Sequence, residues 1–299
     1  MDIHRTRASQ EAYSRRHAGT RPALRFIAAI LAAAGLSATP ALAMKASWNV
    51  QAREHPAQIE GDAGSTGMPV DLELVLAVDT SGSMSKAELL IQRRGYIAAL
   101  RHADVAVAIA MRGAVAVAYL EWAGPDDQRI VVPWTVLSDA TDAAGLADKI
   151  DAAPLSPGFN SPPWKSGTSI GSALSFAADM FSSGGASHTI DISGNGPNNA
   201  GDALAPVRED VVARGITING LPIARLGDIG SGYPLAVYYE DCVIGGPGAF
   251  AIAVDNQAAF EMAVRRKLVQ EIAGIPQRLA SVALRPAPAP RIDCARAGT

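Results

Sequence analysis

The sequence predicts an α/β domain built on a doubly wound, mostly parallel sheet with one antiparallel edge strand. Three observations carry this. Short apolar runs such as Leu72–Val78 have the composition of strands buried on both faces. Those runs alternate with helical segments, the order that produces a parallel sheet covered on both sides. One pair of strand-like runs is joined only by the turn Gly124-Pro125-Asp126-Asp127, which marks a hairpin.

Taken in order, the chain opens on a segment with a separate purpose. Residues 1–26 carry Arg5, Arg7, Arg15, Arg16, Arg21 and Arg25 against Asp2 and Glu11. An apolar stretch from Phe26 to Leu36 and the small-x-small triplet Ala41-Leu42-Ala43 follow. Basic, greasy and small-residue segments in that order predict a secretory signal over 1–43. The greasy part is too short and Ala-rich to span a bilayer, so no stable membrane span is expected after cleavage. Ser14-Arg15-Arg16 hints at a twin-arginine signal, but no hydrophobic residue follows promptly, which favours the general export route. The expected location is periplasmic or secreted.

Over the whole chain the formal charge is −3, with 48% hydrophobic and 18% charged residues. Such a composition suits a globular protein and leaves no electrostatic footprint for nucleic acid. Removing 1–43 takes Lys+Arg from 26 to 20 and Asp+Glu from 29 to 27, so the exported chain carries 20 − 27 = −7. That charge suits cations and disfavours polyanions.

Residues 44–69, polar and Gly-rich, read as a linker, and the folded domain is expected over 70–275. Leu72–Val78 is the first strand, ending at Asp79. Ser85-Lys86-Ala87-Glu88 has the capping-box pattern and predicts a helix to about Arg101. Ala114–Trp122 and Arg129–Trp134 form the hairpin, with Pro133 placing the second strand at an edge. Helices are expected over Thr141–Ala152, Thr168–Phe181, Pro206–Arg214 and Gln257–Ile272, and strands over His188–Ser193, Gly215–Leu221 and Ala249–Val254. Pro154–Lys165, with four prolines and Trp164, reads as a surface loop. The remaining 276–299 form a tail containing Pro286-Ala287-Pro288-Ala289-Pro290. Cys242 and Cys294 both lie beyond the signal, and a disulfide between them in an oxidising compartment would tie the tail back. Two unpaired thiols are the alternative.

Ligands of an open doubly wound sheet collect beyond the carboxyl ends of its strands. The first strand ends in Asp79-Thr80-Ser81-Gly82-Ser83, which offers a carboxylate and two hydroxyl oxygens from a tight turn. Hard oxygen donors of low total charge suit Mg²⁺. By itself this is also an ordinary polar turn before a helix cap. Two further segments raise its significance. Ser166-Gly167-Thr168-Ser169-Ile170 presents a hydroxyl at a helix start, and Thr189–Ser193 runs into Gly194-Asn195-Gly196, a polar residue at a strand end.

Together these segments resemble the three-part metal site of von Willebrand factor type A domains. The stretches Glu121–Pro125, Val131–Thr135 and Asp241–Phe250 are similar to a bacterial exported branch of that family, of undefined function. The resemblance covers the whole globular part. It implies a metal-ion-dependent adhesion site of Asp79, Ser81, Ser83 and Thr168, with Asn195 where the family usually has an aspartate. A bound Mg²⁺ or Mn²⁺ would leave one position open for an Asp or Glu of a partner protein. Asp191, farther back on the same strand, is a weaker stand-in for the missing carboxylate. Its simpler role is a strand aspartate bonded to a helix.

Two other readings compete. Gly167-Thr168-Ser169-Ile170-Gly171 matches the G-x-S-x-G of serine hydrolases, but a Pro-rich loop precedes it where a strand is required. The only downstream histidine is His188, at a strand start, so Ser169 is not expected to be a nucleophile and the protein is not expected to be an enzyme. Alternatively the domain is a metal-free scaffold that holds its partner by the top loops, with Trp164 either an anchor or packing its own loop.

Overall fold

Strand β1 (Leu72–Asp79) lies at the centre of the sheet, and all eight of its residues are buried. It pairs in parallel with β2 (Val115–Trp122) on one side and β4 (Ser187–Gly194) on the other. Beyond β2, the strand β3 (Gln128–Leu137) runs antiparallel, and β5 (Thr217–Pro222) runs parallel beside β4. The order is β3-β2-β1-β4-β5. The connection reverses direction between β1 and β4, which makes their carboxyl ends the switch point where a crevice opens. The computed structural model describes residues 69–155, 167–182, 184–223, 233–254, 256, 259–274 and 292–294. The expected signal (1–43), nearly all of the linker, Trp164 with its loop, and most of the tail lie outside the described residues.

Helices cover both faces. On one face α1 (Lys86–Leu100), α2 (Ala103–Arg112), α3 (Ala140–Ala152) and α7 (Phe260–Ala273) pack around Leu74, Leu76, Val117 and Tyr119. On the other, α4 (Ile170–Ala178), α5 (Leu204–Ala213) and α6 (Leu235–Tyr238) pack around Val75, Ala77, Leu120, Ile190 and Ile192. The alternation of buried residues along β1 between the two clusters follows from the period of two in a strand. Helix α1 begins as its capping box requires, with Ser85 Oγ accepting from Glu88 N–H and Glu88 accepting from Ser85 N–H.

Two differences from the sequence reading have physical causes. Helix α2 was not expected there, because Val105-Ala106-Val107-Ala108-Ile109 is apolar at nearly every position and shows no period. It buries Val105, Ala108 and Ile109 and leaves Val107 and Met111 exposed. Conversely Ala249–Val254 is not a strand. It follows β5 through Gly220 N–H to Phe250 O and Ile252 N–H to Gly220 O, both 3.0 Å, yet only isolated bridges form. Gly246 and Gly248, at φ 92° and 74°, bend the approach to this segment out of the extended region.

Inside the first core sits a charged cluster. Lys267 and Asp191 are fully buried, and Lys267 Nζ lies 2.7 Å from Asp191 Oδ1. Lys267 also pairs with Glu271 one turn along α7, and Asn219 Nδ2 donates to Glu271 Oε1 at 2.9 Å. One cation thus faces two carboxyls. Burial, then the negative charge of Asp191, pushes Glu271 up to about 8. Burial also raises Asp191, while Lys267 and a hydrogen bond from Glu271 oppose the rise. Glu271 therefore keeps its proton at neutral pH. That shared proton accounts for carboxyl oxygens of Asp191 and Glu271 that lack any other hydrogen-bond partner. Because the folded state binds this proton more tightly than the unfolded chain, the stability it contributes is full below pH 4.5 and is lost as pH rises toward about 8. Glu271→Gln, which keeps a donor and cannot ionise, should lose less stability than the wild type across that interval in denaturant unfolding.

Candidate metal centre

Asp79 ends β1 with no exposed surface. Its Oδ1 accepts from Ser81 N–H at 2.7 Å, closing the tight turn, and its Oδ2 accepts from Asn195 N–H at 3.4 Å across the switch point. A buried carboxylate needs such partners, and the two loops that supply them also carry Ser81, Ser83 and Asn195. Gln92 of α1 fastens the two strand ends from behind. Its Nε2 donates to Asp79 O at 2.9 Å and its Oε1 accepts from Ser193 Oγ at 3.1 Å.

The hydroxyls form a chain whose direction follows from counting protons. Ser83 Oγ donates to Asn195 Oδ1 at 2.7 Å, so its 2.9 Å contact with Ser81 Oγ is one in which Ser81 donates. Thr168 Oγ1 in turn donates to Ser81 Oγ at 3.4 Å. Asp79, Ser81, Ser83, Thr168 and Asn195 therefore converge from three separate segments. Four of them are at least nine-tenths buried, and Ser83 is exposed. Their oxygens are hard donors with a single carboxylate among them, a set that fits a small divalent cation keeping several waters.

Thr168 precedes α4, whose N-cap is Ser169. Its position is set by Asn199: Thr168 N–H donates to Asn199 Oδ1 at 2.8 Å, and Asn199 N–H donates to Thr168 O at 2.9 Å. Asn198 Oδ1 accepts from Gly171 N–H at 3.0 Å, and Asn198 N–H donates to the Tyr238 hydroxyl at 3.1 Å. Gln92, Asn198, Asn199 and Tyr238 are thus supports that carry no recognisable signature. A polar Gln on the buried face of a helix was the one available signal.

Asp191 is committed to Lys267 and is not brought to the site. Ser169 Oγ donates to Ser172 Oγ at 2.8 Å and caps α4. His188 lies at the opposite end of β4 from Asn195, with Nε2 3.4 Å from Glu73 Oε2. Six strand positions, roughly 20 Å, separate His188 from Gly194 at that end of the sheet, so His188 cannot serve Ser169 as a base.

At the other side of the crevice, α6 runs into a short π-helical turn, Tyr239–Val243. Tyr239 is fully buried. Burial and then the charge of Asp79 raise its phenol well above the usual tyrosine value. The turn is pinned by a Cys242–Cys294 disulfide, with Cα atoms 5.5 Å apart, and by Ile292 N–H donating to Asp241 at 3.0 Å.

This topology and the loop cluster above β1 and β4 define a von Willebrand factor type A fold. Proximal thread matrix protein 1 from the mussel byssus aligns at 13% identity and TM-score 0.50, over 68% of this chain and 48% of its own. The pilus adhesin SpaC from Lactobacillus rhamnosus GG aligns at 14% and 0.50, over 68% of this chain and 31% of its own. The von Willebrand factor type A protein from Catenulispora acidiphila aligns at 14% and 0.46, over 69% and 43%. The chain therefore spans less than half the length of each of these proteins. No curated protein matches it. Residues 69–276 match the family described as "protein of unknown function (DUF1194)", and the chain belongs to that family.

The bridge closes a loop of 52 residues in sequence. Replacing Cys294 by Ser should lower unfolding stability by about 2–4 kcal/mol, and reduction of the wild type should lower it equally.

Proposed function

We propose that the protein is an exported, non-enzymatic binding module. Asp79, Ser81, Ser83, Thr168 and Asn195 would hold a divalent cation, Mg²⁺ or Mn²⁺. A partner protein would present an Asp or Glu side chain to that ion. When bound, the ion supplies positive charge and an open coordination position that the chain's own neutral oxygens leave uncompensated. The residues of the chain position it: Asp79 is anchored by two backbone N–H groups, and Asn199 fixes Thr168 from the far loop. The single observation that carries this reading is the convergence of five oxygen-bearing residues from three segments on one hydrogen-bonded cluster at the switch point. Export is supported by the disulfide, since such bonds persist in oxidising compartments. Among the described residues no helix is long and apolar enough to cross a membrane.

A second reading has an observation of its own. The chain from Thr168 through Ser81 and Ser83 to Asn195 satisfies its members mutually, so the cluster is also stable as a metal-free scaffold whose loops contact the partner directly.

Calorimetric titration of Mg²⁺ and Mn²⁺ separates the two. The ion reading expects saturable binding that Asp79→Ala abolishes, and partner capture that EDTA reverses. Asn195→Asp adds the carboxylate that the site lacks and should tighten Mn²⁺ on the order of tenfold. Partner capture indifferent to both EDTA and Asp79→Ala would establish the scaffold instead.

A further inference from the structure

Tyr239 lies across β4 and β5 in a slot made by two glycines. A Cβ on Gly220 would stand 2.7 Å from Tyr239 Cδ1. A Cβ on Gly194 would stand 2.8 Å from the Tyr239 hydroxyl and 2.9 Å from Asp79 Oδ2. The bare face of Gly194 is therefore what allows the phenol and the carboxylate to share one small space. The ring is held from the other side as well. Ile218 and Gly245 exchange backbone hydrogen bonds of 2.8 and 3.1 Å just beyond the turn, and Cys242–Cys294 anchors the turn itself.

Despite this rigid seat, the Tyr239 hydroxyl is buried without a hydrogen-bond partner among the described residues. Leaving a buried hydroxyl unpaired costs free energy, and a phenylalanine would fill the slot without that cost. The packing thus explains the ring and leaves the oxygen unexplained. The polar atom sharing its space is Asp79 Oδ2, whose own bond to Asn195 N–H is long at 3.4 Å.

We propose that Tyr239 is a positioning residue of the cation site, its hydroxyl donating to Asp79 Oδ2 and holding that carboxylate in place when the site is loaded. The proposal rests on the ion reading given above. It assigns to a phenol on the π-helical turn part of the orienting work that a second carboxylate would otherwise share, in a site where Asn195 supplies only an amide. Outer hydrogen-bond partners of this kind typically change metal affinity by about 10–100-fold.

The test uses Tyr239→Phe, which keeps the ring and removes only the oxygen, and Gly194→Ala, which drives a methyl between phenol and carboxylate. Mn²⁺ binding is measured by calorimetry, and thermal melts are recorded without metal. The expected result for Tyr239→Phe is Mn²⁺ affinity at least tenfold weaker with a metal-free Tm that is unchanged or higher. Gly194→Ala should weaken binding in the same direction. Unchanged affinity in Tyr239→Phe, with the wild type binding normally, overturns the proposal and leaves the ion site standing. A lowered metal-free Tm or loss of folding in Tyr239→Phe shows that the hydroxyl is structural and also overturns it. Wild-type protein that binds no Mn²⁺ overturns the ion reading and this proposal together.

Discussion

A carboxylate with no exposed surface at the end of the central strand constrains everything around it. Asp79 must be satisfied where it stands, and the two loops flanking the switch point each supply it with a backbone N–H donor. Those N–H groups draw the Ser81 turn and the Asn195 loop toward each other. Ser83 and Asn195 are brought within 2.7 Å as a consequence, although 112 positions separate them. The site is in this sense a product of desolvation: burying the charge organises the oxygens above it.

The neighbouring strand β4 carries a second buried polar group lower down. Along β4, Asp191 meets Lys267 of α7, Ser193 meets Gln92 of α1, and Asn195 meets Ser83. A seam of polar contacts therefore runs along one face of a strand whose other residues, Ile190 and Ile192, are pure core. The two ends differ in kind. The lower end is closed, with one proton and one cation balancing two carboxyls away from solvent. The upper end has one carboxylate, Asp79, held by the backbone N–H groups of Ser81 and Asn195, and an exposed serine at its mouth. A buried carboxylate beneath a set of neutral oxygens is the arrangement that the proposed cation site would use.

Much of this was legible in the sequence because it is local. Strand β1 announces itself by an unbroken apolar run, and α1 by its capping box. Asp79, Ser81, Ser83, Thr168 and Asn195 each lie at a strand end or helix start, where chain direction places them near the switch point, and the resemblance to von Willebrand factor type A domains singles them out as a set. What the sequence did not show depends on register or lacks a period. Gln92 acts thirteen residues from Asp79, on a helix face that it shares with the apolar Leu89, Tyr96 and Leu100. Asn199 and Tyr238 act through contacts that only the folded crevice creates. Helix α2 goes unassigned from sequence because its small apolar residues show no clear period, and Ala249–Val254 reads as a strand although it makes only isolated bridges.

The replacement of a carboxylate by Asn195 changes the electrostatics more than the architecture. An amide keeps the hydrogen bonds that shape the site, accepting from Ser83 Oγ and donating to Ser83 O at 3.4 Å. It removes one negative charge from the neighbourhood of Asp79. Attraction for a divalent ion falls accordingly, and so does the penalty for leaving the site without one, because only one buried carboxylate then needs support. A partner's carboxylate would restore the missing charge at the moment of contact. In the proposed reading ion and partner would then bind cooperatively, each raising the affinity for the other by the same factor. A site poor in its own charge would thereby gain selectivity: a neutral surface offered to it supplies neither the ligand nor the charge that would retain the ion.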